Sequence, residues 1–241
     1  MEELRGWFSD FMVQLRQTSL LEYLGVGFGV VQVLLAKSNK LLLYPFGIAS
    51  VLITLYVLYD AGLYAEVLLN LYYLLMSIYG WWHWNTGGSG GYSGAGRNGV
   101  DSHKTLKPQT VLVSYSSRRE WGITFGIVLL GVPLLYWALI SFTDSSVPVW
   151  DSLVTATAWA GMWLLARRKI ENWLLLNISN ALAIPLLAYK GLPLYSLLTL
   201  FLFIVAIFGY FEWRKIIAGQ SGEARVTGET EKSVKSGEER E

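Results

Sequence analysis

Seven mostly apolar stretches, separated by short polar or basic breaks, divide the chain. They run from Leu20 to Ala36, Leu41 to Tyr59, Leu63 to Trp84, Trp121 to Phe142, Ser152 to Ala166, Trp173 to Tyr189 and Gly191 to Phe211. A membrane-crossing helix needs about 20 mostly apolar residues, fewer where flanking side chains snorkel. The pattern therefore predicts an all-α integral membrane protein with seven transmembrane helices. Three stretches are less clean: the first carries Glu22, the third carries Glu66, and the fifth has only fifteen residues. Each of these, taken alone, reads equally as a buried or re-entrant helix.

The basic residues argue for all seven. With the N-terminus outside, the inner side holds Lys37, Lys40, Arg97, Lys104, Lys107, Arg118, Arg119, Arg167, Arg168, Lys169 and the cluster from Arg214 onward. Only Arg5, Arg16 and Lys190 fall outside, so 16 of the 19 Lys and Arg residues share one face. Cytoplasmic loops collect such residues, and dropping any one span would carry a basic cluster to the wrong side. Aromatic residues close the third span (Tyr79, Trp81, Trp82, Trp84) and the seventh (Tyr210, Phe211, Trp213), as interfacial anchors do.

The divisions that follow are 1–19, a periplasmic tail or surface helix; 20–84, a three-helix bundle; and 85–120, a cytoplasmic Gly- and Ser-rich loop. After them come 121–142, a linker transmembrane helix; 149–213, a second three-helix bundle; and 214–241, a disordered cytoplasmic tail poor in apolar residues. Composition agrees, with 53% hydrophobic and 15% charged residues, against roughly 25% charged in soluble domains. A net charge of +1 gives no basic field for nucleic acid, and the absence of cysteine removes disulfides, thiolate chemistry and Cys-based metal sites.

The chain also matches itself. A shift of 129 residues aligns Gly62-Leu63 with Gly191-Leu192, Leu68-Leu69 with Leu197-Leu198, Leu71 with Leu200, Gly80 with Gly209 and Trp84 with Trp213. Leu34-Leu35-Ala36-Lys37 matches Leu164-Leu165-Ala166-Arg167 at a shift of 130, which implies a one-residue difference in the following loop. Spans one to three thus repeat as spans five to seven. Because one span separates the copies, the repeats run parallel, in a 3+1+3 arrangement with span four as the inverting linker. Duplicated bundles of this kind bind solutes near the midplane between their halves and alternate access by rocking.

Polar residues inside lipid are costly and therefore informative. On span six, Trp173, Asn177 and Asn180 recur at i, i+4 and i+7, an indole and two amides on one face. That face suits stacking against a ring and bonding to hydroxyls; interhelical amide glue is the competing role. On span three, Glu66, Asn70, Tyr73 and Ser77 form a polar stripe, whereas their repeat mates are Tyr195, Thr199, Leu202 and Ala206. Such divergence is expected when an asymmetric ligand touches the two halves differently. Glu66 lies near the outer interface, either hydrated or coupled to a proton, and Gln32 in span one is a further site candidate. Pro45-Phe46-Gly47 and Pro185 interrupt spans two and six and permit kinks.

Other chemistries find little footing. Gly94-Ala95-Gly96-Arg97-Asn98-Gly99 spells a dinucleotide fingerprint, but within a Gly/Ser run it reads as a flexible linker. The two histidines, His83 and His103, sit at or beyond the membrane surface without an obvious partner, so no enzyme activity, metal or cofactor is expected. A retinal photoreceptor needs a lysine within its last helix, and Gly191 to Phe211 has none.

Three strings carry a family resemblance: Tyr79-Gly80-Trp81-Trp82-His83-Trp84, the run Leu164 to Arg167 with Ile170-Glu171-Asn172-Trp173, and Gly209-Tyr210-Phe211-Glu212-Trp213. Over about residues 20 to 215 the chain resembles the bacterial PnuC family of nicotinamide riboside transporters. That resemblance implies a fold similar to full-length SWEET transporters, a homotrimer, location in the bacterial inner membrane, and facilitated diffusion followed by trapping through a cytosolic kinase. The family pattern E-N-W-x-x-W-x-x-x-N falls on Glu171, Asn172, Trp173 and Asn180, with Leu176 at its second Trp, and Asn70 stands where the family usually has Gln. The expected substrate-binding residues are Trp173, Asn177, Asn180, Asn70, Tyr73 and Gln32, and the expected function is uptake of nicotinamide riboside. Transport of thiamine or another vitamin precursor is the alternative, and a non-transporting membrane receptor or scaffold is the rival from another class.

Overall fold

The structure is a computed structural model that describes residues 6, 11–16, 18–60, 64–86 and 111–238. The side chain of Glu66, the Gly94 to Gly99 run and His103 lie outside the described residues. Secondary structure is helical throughout the described residues, apart from an isolated parallel bridge between Ser114 and Lys169. The long helices are α1 (Leu20–Lys37), α2 (Leu43–Asp60), α3 (Tyr64–Asn85), α4 (Arg118–Phe142), α5 (Pro148–Ala166), α6 (Asn172–Tyr189) and α7 (Pro193–Glu238).

Local chemistry sets their ends. Glu22, an acid at the start of the first apolar stretch, closes a capping box on α1: its carboxylate accepts from the Ser19 N–H (2.6 Å) and its own N–H donates to Ser19 Oγ (3.2 Å). Ser117 and Glu120 repeat the device at the start of α4. Pro148 and Pro193 open α5 and α7, where a missing N–H costs nothing. Pro45 does the same in the first turn of α2 and so does not interrupt that helix, contrary to the sequence expectation. Pro133 and Pro185 do sit inside helices, α4 and α6. Helix α7 runs from Pro193 to Glu238, and its apolar, span-like part ends by Gln220.

Five helices have the length and hydropathy of a membrane crossing: α1, α2, α4, α6 and the Pro193–Gln220 part of α7. The other two are long enough but more polar, and α5 is among the most enclosed elements. Its buried face comprises Ser152, Ala156, Thr157, Ala160, Gly161, Leu164, Leu165 and Ala166. Small and hydroxylated residues there meet protein rather than lipid. The chain is thus a multi-helical membrane protein in which α5 is central.

Helix packing closes a ring in the order α1, α2, α3, α5, α6, α7 and back to α1, with α4 outside, lying chiefly on α5. The first three helices begin and end 129 residues before the last three along the shared bounds: Lys37 with Ala166, Leu43 with Asn172, Asp60 with Tyr189 and Tyr64 with Pro193. The register is therefore 129 throughout. The Leu-Leu-Ala match at 130 is one residue out of phase, since a leucine-rich string resembles itself at neighbouring shifts.

Packing obeys the same register. Tyr44 lies against Gly80 and edge-on to Trp84 (5.3 Å, 87°); Trp173, its mate, lies against Gly209 and edge-on to Trp213 (5.6 Å, 89°). The Trp84 indole donates to the Leu165 carbonyl (3.3 Å) and the Trp213 indole to the Ala36 carbonyl (2.9 Å), again mates. Each bond runs from the third helix of one bundle to the first helix of the other.

At the opposite end, Gln14 in the helical turn 11–16 donates to the Gly191 carbonyl (2.6 Å) and accepts from the Leu194 N–H (3.1 Å). The N-terminal segment is thereby tied to the α6–α7 turn, where Gly191 takes a positive φ of 70°.

Glu120 joins α4 to the second bundle through Lys169 (3.2 Å) and Arg167 (3.4 Å), besides accepting from the Ser117 N–H (2.8 Å). Glu120→Gln is expected to cost about 2 kcal/mol. Thermal melts of wild type and variant at about pH 7 check this, and equal Tm values would refute it.

Candidate functional site

A cavity of about 180 Å³ lies inside the ring, and every ring helix contributes to its wall. Gln32, Val33 and Ala36 come from α1, Val51 from α2 and Tyr73 from α3; Met162 and Leu165 come from α5, Trp173, Leu176 and Asn180 from α6, and Leu202 and Ala206 from α7. Val33 and Met162, Ala36 and Leu165, Val51 and Asn180, and Tyr73 and Leu202 are mates at 129. The cavity therefore sits on the axis relating the two bundles.

Its polarity does not follow that symmetry. Three side chains on the wall are hydrogen-bonding amides or hydroxyls, Gln32, Tyr73 and Asn180, and their mates are Gly161, Leu202 and Val51. Among the described residues, no Asp, Glu, Lys, Arg or His lines the wall. Large and small residues also trade places between the halves. The Gln32 amide lies against Gly47, where an added Cβ would fall 2.6 Å from it, and Leu176 lies against Gly161, where a Cβ would fall 2.8 Å away. Gln32 is the mate of Gly161, and Gly47 of Leu176. One bundle thus presents an amide where the other presents an isobutyl group.

Trp173 is 1% exposed. Gly209 supports its ring, Trp213 meets it edge-on, and its indole N–H has no protein partner. The adjacent Asn172 is fully buried and donates to the Lys169 carbonyl (2.5 Å), which anchors the start of α6 beneath the cavity. On α3, Tyr72 donates to the Trp159 carbonyl (2.9 Å) and stacks on that indole (4.6 Å, 23°), which fixes the helix turn carrying Tyr73.

Of the six expected site residues, Gln32, Tyr73, Trp173 and Asn180 meet on this wall, whereas Asn70 and Asn177 lie off it. Asn177 is half-buried and its Oδ1 is unpartnered. At about 100° per residue, Trp173, Leu176 and Asn180 share one narrow sector of α6, and Asn177 is turned out of it. Gly47 and Gly209, which back Gln32 and Trp173, were missed as functional residues, although Gly209 was visible as the repeat mate of Gly80. His83, in the last turn of α3, is 7% exposed and stacks on Tyr79 (5.7 Å, 15°).

The family described as nicotinamide mononucleotide transporter matches residues 19–215. The chain belongs to that family. It is 25% identical over 203 residues to the nicotinamide riboside transporter PnuC of Escherichia coli (strain K12), covering 81% of this chain and 85% of the relative. The protein of the same name in Shigella flexneri matches with the same figures. A crystal structure of the vitamin B3 transporter PnuC superposes with a TM-score of 0.60 over 89% of each chain, at 23% identity, and so shares the fold. The family and these relatives are transporters rather than enzymes, and the chain is accordingly a multi-pass membrane transporter. That membership disposes of the receptor and scaffold alternative.

Proposed function

We propose that the chain takes up nicotinamide riboside, an unphosphorylated nucleoside, and that the axial cavity is its binding site. One observation carries this choice: among the described residues, the wall offers neutral hydrogen-bonding groups and a buried indole but no basic side chain. A phosphate brought into such an enclosure would lose its hydration without compensation, which argues against the mononucleotide. The ribose hydroxyls and carboxamide match Gln32, Tyr73 and Asn180, and the pyridinium gains from the face of Trp173. The cavity lies below the 300–1,000 Å³ of drug-sized pockets, which restricts the ligand to a small molecule.

The finer architecture belongs to the same proposal. All seven long helices cross the bacterial inner membrane as 3+1+3, with the N-terminus outside and the C-terminus cytoplasmic, since that arrangement puts 16 of 19 basic residues inside. The parallel repeat and axial cavity support facilitated diffusion by alternating access. Assembly as a homotrimer and trapping of the product by a cytosolic kinase complete the scheme.

Asn180→Val with Tyr73→Leu tests the site, because each change installs the residue that the other bundle already carries at that place. The fold should survive, while affinity for nicotinamide riboside falls by up to about tenfold per lost hydrogen-bonding group. Ligand-induced thermal stabilisation of the purified protein reads this directly. Wild type should be stabilised by nicotinamide riboside and not by its mononucleotide. Stabilisation by thiamine alone would move the assignment to that vitamin, in keeping with Leu176.

A further inference from the structure

Among the described residues, two non-glycine positions have positive φ: Asn39 (54°) and Arg168 (59°). They are repeat mates, each in the loop joining the first two helices of its bundle. Asparagine tolerates this conformation, whereas arginine adopts it only under the constraint of its surroundings. Here the two loops hold each other: Arg168 Nε donates to Asn39 Oδ1 at 2.9 Å across the axis.

Arg168 is 9% exposed, its guanidinium lies 4.3 Å from the Trp84 ring centroid, and Nη1 donates to the Val111 carbonyl. No carboxylate pairs with it among the described residues. Burial, offset in part by the nearby Tyr44 phenol, lowers it to about 10, so it remains charged at neutral pH. A desolvated cation held only by neutral groups is a costly arrangement to keep, and this one bridges the two halves.

Directly above it, Trp84 and Trp213 make their paired bonds to the Leu165 and Ala36 carbonyls. Ala36 and Leu165 are also wall residues of the cavity. The Ala36–Leu165 pair of the cavity wall, the cross-bundle tryptophan bonds and the Asn39–Arg168 contact therefore lie in succession, each a pair of repeat mates.

We propose that these pairs form the gate at this end of the cavity, with Arg168 as its latch: the ligand leaves toward the Arg168 end only when the Arg168–Asn39 bond and the two indole–carbonyl bonds part. A cation without a carboxylate partner among the described residues suits the task, because such a partner would hold the halves too firmly for repeated opening. The inference rests on the transport function proposed above only in treating this end as the cytoplasmic exit.

The chain has no cysteine, so a single reporter thiol can be read without background. In Ala36→Cys protein, an impermeant maleimide is applied to inside-out vesicles and, separately, to intact cells. Adding Arg168→Gln should raise labelling from the Arg168 side about tenfold, without a matching rise from the other side. Asn39→Asp should do the opposite, slowing labelling and nicotinamide riboside uptake while leaving ligand-induced stabilisation in place, since it gives the buried cation a charged partner. Unchanged labelling in both variants, or an equal rise from both sides, would overturn the gate. Labelling that follows the expected pattern in protein that does not move nicotinamide riboside would keep the gate and reject the substrate instead. A rise seen only in intact cells would keep the gate and reverse the orientation.

Discussion

Trp173→Ala is expected to abolish nicotinamide riboside uptake and the thermal stabilisation that the ligand confers. The residue is almost wholly enclosed, forms part of the cavity wall, and braces Trp213, whose indole holds the Ala36 carbonyl of the other bundle. Truncating a buried tryptophan costs about 3–5 kcal/mol through lost burial and the void left behind, so apparent Tm should fall as well. Trp173→Phe separates the two losses: it retains an aromatic face and much of the packing, so stability should largely return while affinity recovers in part. Uptake into proteoliposomes and melts with and without ligand provide the readouts. Trp173→Ala protein that transports at the normal rate would remove this residue from the site.

Gly209→Ala should destabilise the protein by about 1–3 kcal/mol, the usual cost of overpacking a filled core. An added Cβ would stand 2.7 Å from the Trp173 ring. The atoms it meets belong to the fused body of an enclosed indole, which has no flexible end to swing away. The ring can yield only by moving relative to the cavity, so weaker ligand binding should accompany the lower Tm. Gly80→Ala tests the same contact in the first bundle, against the Tyr44 phenol at 2.5 Å, but its mate there does not line the cavity. Loss of stability without a comparable direct loss of binding is expected. Gly126→Ala, with nothing within 4 Å, is the control and should match or slightly exceed wild type. Equal melts for Gly209→Ala and Gly126→Ala would show that the close approach to Trp173 is not maintained in the membrane.

The seven helices were legible in the chain because hydropathy is local. The Ser19–Glu22 cap was not, since Glu22 read as a blemish on the first apolar stretch until its bonds to Ser19 placed it at the start of α1. The repeat was legible for a similar reason, since the glycines and tryptophans that carry it are rare enough to align. The Leu34 to Lys37 string misled by one residue, because leucine-rich segments slide; two indole–carbonyl bonds and the equal helix bounds settle the register at 129.

The site divides in the same way. A polar stripe on a helix specifies a face more than 100° wide, so Asn177 could not be told from Asn180, nor Asn70 from Tyr73, by spacing alone. Which part of the stripe looks onto the axis depends on how each helix is rotated against its neighbours. Gln32 belongs to the wall because Gly47, on another helix, leaves room for its amide, and Trp173 because Gly209 leaves room for its ring. The helices, their repetition and the kinds of side chain available for a ligand follow from residues near one another in the chain. Which of those side chains meet around one cavity, and the meeting of Asn39 with Arg168 at its end, follow from packing, because contacts between residues 129 apart leave no local trace.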